Sequence, residues 1–202
     1  MTMPQTTSKP TFTQATVVNG GLVAGMWGLE VIDYATLHSL DQFGITPRNF
    51  GDFFDILLAP WLHFGWAHLI GNSVPFLVLG TLIYLSGRAQ YLTTLVFSIL
   101  ASGLTVWLIS PPQTNTLGAS GVVFGFVTYL LVRGFFNRRI GQILLAVVVF
   151  MVYGGVLWGV LPTAAGVSWQ AHLGGAVGGV LAAWWMHPGR HRRGRDRAQW
   201  AA

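Results

Sequence analysis

The chain has 202 residues, of which 52% are hydrophobic and 8% charged, with a formal net charge of +5 and no cysteine. Soluble domains carry about 25% charged residues, and the mean hydropathy here is +0.56, so the composition is that of a membrane protein. Without cysteine there is no disulfide framework, zinc–thiolate site or cysteine nucleophile; the basic excess sits in short loops and a tail, which fits a topology signal better than a nucleic-acid partner.

A helix needs about 20 mostly apolar residues to cross hydrocarbon. Residues 1–30 do not read as a cleaved leader: the start is polar with one lysine, Lys9, and no small-residue cleavage site follows a clean apolar core. Six segments then qualify as spans: roughly 17–36, 65–85, 91–110, 118–135, 140–161 and 168–187. The first is the weakest, because it carries Asn19, Glu30 and Asp33. The longest connection, 37–64, is apolar for a loop, with Phe50, Phe53, Phe54, Leu57, Leu58 and Trp61. Such aromatics suit a segment lying partly in the outer leaflet. The sequence therefore predicts an all-α membrane protein, a bundle of six transmembrane helices. It divides into an N-terminal segment (1–16), the bundle (17–187) and a basic tail (188–202).

Charge orients the bundle. Lys9, Arg88, Arg133, Arg138, Arg139 and the tail arginines of "GRHRRGRDR" fall on one side of a six-span chain. The other side holds Arg48 alone. The asymmetry places both termini in the cytoplasm. The tail reads first as a topology anchor, with anionic-lipid contact as a second possibility.

Polar groups inside spans are costly and mark function. Span two opens with "HFGWAHLIGN", whose His68 and Asn72 are four apart and share a helix face. Span four opens with "GASG", containing Ser120. Span six opens with "AHLGGAVGG", containing His172. Singly, each has an ordinary explanation. A serine bonds its own i−4 carbonyl; a histidine or asparagine joins neighbouring helices. Their occurrence at one depth in three spans points instead to a site. Gly121 and Gly125, and Gly175 and Gly179, form two G-x-x-x-G patterns that let helices approach closely. Packing of spans four and six through these faces would let Ser120 meet His172.

A hydroxyl beside an imidazole base can act as a nucleophile. His68, Asn72 and the Ser120 backbone N–H could donate to an oxyanion. No Asp or Glu occurs between Asp55 and Asp196. The simplest arrangement is then a Ser–His dyad with no acid. The same absence removes the groups for metalloprotease and aspartyl mechanisms and weakens a proton-coupled transporter.

The three motifs, in this order and each opening its span, resemble the rhomboid family of intramembrane serine proteases. The resemblance implies Ser120 as nucleophile and His172 as general base. It places Gly118 in the G-x-S-G turn with Gly121, and His68 and Asn72 in the oxyanion hole. It gives His63 a structural role and matches Gly175 and Gly179 to the glycines after the catalytic histidine. Phe124 stands where some members have a histidine-stacking Tyr. Arg48 is the only arginine of the first connection, which lacks the Trp-Arg pair of many members. The resemblance further implies cleavage of single-span membrane proteins within or near their transmembrane helix, with no metal or organic cofactor. The expected setting is the lipid bilayer of a bacterial plasma membrane, the site open to the outer side, with no nucleic-acid partner. The alternative is an inactive rhomboid-like protein that binds membrane helices. A transporter or channel would need polar groups through the full depth of the bundle.

Overall fold

The structure is a computed structural model, and it describes residues 9–137, 139–162 and 166–186. The basic tail and Arg138 lie outside the described residues. Seven α-helices make up the described fold: α1 Phe12–Ala35, α2 Asp55–Leu58, α3 Trp66–Ser86, α4 Arg88–Ile109, α5 Ser120–Asn137, α6 Ile140–Tyr153 and α7 Trp169–Met186. No strand occurs among the described residues beyond one isolated bridge, Ile45 with Thr116.

The long helices follow the predicted spans closely. The sequence-predicted fifth span divides into α6 and a 3-10 helix, Gly154–Val160. By length and composition, five helical segments among the described residues suffice to cross a membrane, the one from Ile140 to Val160 among them. The predicted sixth span, α7, is as long as α5 but is diluted by Gln170, His172 and four glycines.

Polar residues of α1 turn inward rather than breaking the helix. Its buried positions are Ala15, Asn19, Met26, Glu30 and Asp33, spaced by three, four or seven residues along one stripe. Asn19 donates to the Ala15 carbonyl and accepts from the Tyr91 hydroxyl, both near 3.0 Å. A capping box at Thr11 and Gln14 starts the helix.

α7 packs in the middle of the bundle between α4 and α5, and its glycines set both crossings. A β-carbon on Gly175 or Gly179 would overlap the carbonyl of Gly121 or Gly125. The expected glycine faces of the fourth and sixth spans therefore do meet. A second pair, Gly174 and Gly178, brings α7 close to the α4 carbonyls of Ala101 and Phe97, which a β-carbon would meet at 2.4 and 2.5 Å. Ser102 crosses the same gap, donating to the Ala171 carbonyl at 2.9 Å.

The 37–64 connection forms a 3-10 helix over Ser39–Phe43, the short α2 and a further 3-10 turn over Ala59–Trp61. It exposes Phe50, Phe54, Leu57 and Leu58. Arg48 donates to the Leu108 and Ser110 carbonyls at 3.0 and 2.9 Å. It thus caps the C-terminal end of α4, where a cation complements the helix dipole.

Candidate active site

α3, α5 and α7 all begin at one end of the bundle. Their first turns line a cavity of about 790 Å³ that includes His68, Asn72, Gly118, Ser120, Phe124 and His172. An apolar-walled cleft with a few converging polar groups is the form a small reaction site takes.

Ser120 is the first residue of α5. The turn before it is built by Gly118, whose φ of +120° lies in the region that favours glycine. A β-carbon there would stand 2.8 Å from His68 Nε2, so only glycine lets the His68 ring pass over this turn. The Gly118 N–H donates to the Ala59 carbonyl at 2.8 Å, and Ile45 and Thr116 exchange backbone bonds at 2.8 and 3.2 Å. The first connection thereby fixes the approach to α5.

His172 lies on α7, three residues into the helix, and is 8% exposed. Its Nε2 is 2.9 Å from Ser120 Oγ. Its Nδ1 is 2.9 Å from the Gly159 carbonyl oxygen. A carbonyl can only accept, so Nδ1 carries the hydrogen and Nε2 is left as the acceptor for the serine hydroxyl. Fixing one ring nitrogen in this way decides the role of the other. The Phe124 ring stacks on the imidazole with centroids 4.0 Å apart and planes 9° from parallel.

No sequence signal pointed to Gly159. It contributes a backbone oxygen, and it lies thirteen residues before His172 in the 3-10 segment after α6. Its want of a side chain also counts: a β-carbon would sit 2.9 Å from Phe124 Cζ and 3.0 Å from His172 Nδ1. Gly159→Ala therefore pushes the imidazole away from Ser120. We expect turnover to fall by about 10- to 100-fold, the scale of an ångström-sized misplacement, with helix content unchanged by circular dichroism.

His68 accepts a long bond from the Phe64 N–H at Nδ1, 3.4 Å, which leaves Nε2 as its donor beside Gly118. Asn72 donates one amide hydrogen to the His68 carbonyl at 3.0 Å, leaving a second for the cavity. The Ser120 N–H belongs to the first turn of α5, where backbone donors lack helical partners. Three donors thus border the space beside Ser120 Oγ.

His63 takes no part in the cavity lining. It is 2% exposed, packs edge-on to His68 with centroids 5.1 Å apart, and accepts from the Ala119 N–H at 3.4 Å. Burial, with His68 alongside, pushes the His63 imidazole down to about 3, so it stays neutral and keeps a lone pair for Ala119. Gly121, Gly175 and Gly179 lie in the helix crossing beneath the site and hold α5 and α7 together.

Fold and site together define a helical membrane protein with a serine–imidazole pair at the mouth of a cleft. The Rhomboid domain family model matches residues 51–189. An uncharacterized protein of Mycobacterium tuberculosis is 38% identical over 203 residues, 96% of this chain and 85% of its own. An uncharacterized protein of Mycobacterium leprae is 41% identical over 170 residues, 80% of this chain and 67% of its own. Rhomboid-like protease 5 of Toxoplasma gondii is 30% identical over 155 residues, 73% of this chain but 18% of its own. The chain belongs to the rhomboid family.

Proposed function

We propose that the protein is an intramembrane serine endopeptidase that cleaves single-span membrane proteins within or near their transmembrane helix. The observation that carries this reading is the 2.9 Å contact between Ser120 Oγ and His172 Nε2, with Nδ1 tied to the Gly159 carbonyl. In the proposed reaction His172 Nε2 takes the Ser120 proton as Oγ attacks the scissile carbonyl. The oxyanion is stabilised by His68 Nε2–H, Asn72 and the Ser120 N–H. The imidazolium then returns its proton to the leaving amine, and water releases the acyl group by the same base. The positive charge that develops on His172 meets the Gly159 carbonyl dipole and the stacked Phe124 ring, which stand where a carboxylate would in a triad.

We place this chemistry in a bacterial plasma membrane, in a six-span domain with both termini cytoplasmic and the cleft open to the outer side. The K/R asymmetry supports that orientation. The exposed aromatics of the first connection support its contact with the outer leaflet. The direct test is cleavage of a model single-span substrate by purified protein in liposomes. Wild type is expected to release two fragments and Ser120→Ala none; uncut substrate held by wild type would favour a helix-binding, non-catalytic protein.

A further inference from the structure

Glu30 is a buried carboxylate that the proposed reaction does not use. It lies on the buried stripe of α1 and is 2% exposed. Asp33, one turn further along, is engaged on its own turn: Oδ1 accepts the Leu40 N–H at 2.7 Å, and Oδ2 is 2.9 Å from His38 Nδ1. Neither oxygen of Glu30 is hydrogen-bonded by a side chain among the described residues. No Lys or Arg occurs between Lys9 and Arg48, and Arg48 is engaged on the α4 carbonyls. A buried carboxylate needs a donor or a counter-charge. The donor beside this one is a backbone group, the N–H of Gly65.

Gly65 is the N-cap of α3, with φ of 84° and no side-chain cap. A helix start leaves its first N–H groups without helical partners and carries a partial positive charge. A Ser, Thr, Asp or Asn at the N-cap usually answers that need, and glycine has no side chain to do so. Glu30 is at hand because α1 packs across the start of α3. Trp27, Glu30 and Tyr34 are spaced by three and four residues and share a face of α1. The rings of Trp27 and Tyr34 lie 6.0 and 6.1 Å from that of Trp66, the first residue of α3. Trp27 Nε1 also donates to Ser73 Oγ on α3 at 3.0 Å.

We infer that Glu30 is a positioning residue: from α1 its carboxylate caps the N-terminus of α3 and so fixes the turn that carries His68 and leads to Asn72. The inference rests on the oxyanion role proposed above for those two side chains. The link between them is short. Gly65 follows Phe64, whose N–H holds His68 Nδ1 at 3.4 Å. Asn72, one turn on, is bonded to the His68 carbonyl. The His68 ring lies against Gly118, two residues before Ser120. A carboxylate that holds Gly65 therefore sets the direction from which Nε2–H and the Asn72 amide reach a developing oxyanion. Such donors are effective because they are in place before the charge develops. Glu30 itself does not line the cavity, so it acts through α3 and not on the substrate.

Glu30→Met and Glu30→Gln are close in size, and only glutamine keeps an oxygen acceptor. The full chain carrying each is assayed in liposomes for kcat and KM on the single-span substrate, and in micelles by amide exchange over residues 64–68. In Glu30→Met, kcat should fall about 10- to 100-fold, the scale of an ångström-sized misplacement, with KM within about twofold. Exchange of the same amides should quicken by about tenfold as the helix start frays. Glu30→Gln should keep kcat within about fivefold of wild type, because its carbonyl oxygen still accepts. Should Glu30→Met fail to fold, Glu30→Asp, one methylene shorter, is expected to lower kcat by about threefold or more at unchanged KM; unchanged kcat there overturns the inference. So does wild-type kcat or wild-type amide protection in Glu30→Met, or a Glu30→Gln variant that falls as far. A raised Tm with unchanged kcat in Glu30→Met would mark Glu30 as a partnerless buried charge and equally overturn it. Exchange is read whether or not the chain cleaves. A wild type that leaves substrate uncut overturns the proposed protease, while faster exchange in Glu30→Met still supports the cap on α3.

Discussion

Replacing Ser120 and His172 together with alanine will slow cleavage no further than replacing either one. The two side chains share one hydrogen bond, and the proposed step uses both at once: the hydroxyl is a poor nucleophile unless Nε2 removes its proton. Losing either therefore removes the whole covalent route. Each single variant should lose about 10⁴-fold or more, as in hydrolases whose nucleophile and base act as a unit. The measurement is initial cleavage rate in liposomes for wild type, both singles and the double. If instead the double fell well below each single, the two residues would contribute independently and the dyad would be the wrong description.

Gly175→Val will cost more stability than any other single change considered for the bundle, and activity will go with it. A β-carbon at Gly175 meets the carbonyl, carbonyl carbon and α-carbon of Gly121. These are backbone atoms, which cannot rotate away as a side chain would. The two helices must separate, and separation draws His172 on α7 away from Ser120 on α5. Overpacking of a close-packed interior costs about 1–3 kcal/mol and occasionally more, and the rigid obstacle here puts the expected loss at about 3 kcal/mol. Gly20→Ala is the matched control: a β-carbon there meets nothing within 4 Å, so stability should change little or rise with helix propensity. Thermal unfolding in micelles separates the two outcomes. Equal Tm values for the two variants would mean that the α5–α7 contact is looser than the structure has it.

Much of this architecture was legible in the sequence because the bilayer imposes a strong constraint. Long apolar runs separated by charged loops mark helix positions. Ser120, His172, His68 and Asn72 stood out because polar groups are rare in such runs. The glycine spacing on α5 and α7 foretold their contact, since only small residues permit it. What was illegible came from backbone atoms and from chance of position. Gly159 acts through its carbonyl, which every residue has, so no residue type at that place signals a partner for Nδ1. Gly174 and Gly178 look like further packing glycines, and only the fold assigns them to α4. Arg48 was conspicuous as the lone arginine of its connection, yet its targets are the Leu108 and Ser110 carbonyls, about 60 residues further along the chain. Glu30 and Asp33 weakened the first span as a hydropathy signal. In the fold they are inward-facing groups on the buried stripe of α1.

The central claim is that Ser120 is an activated nucleophile, and active-site labelling tests it most directly. Purified protein in micelles would be treated with a fluorophosphonate and digested, and the adduct located by mass spectrometry. A single adduct on Ser120, absent from the His172→Ala variant, is the result expected here. Wild-type protein that stays unlabelled, or that is labelled at another residue, would contradict it.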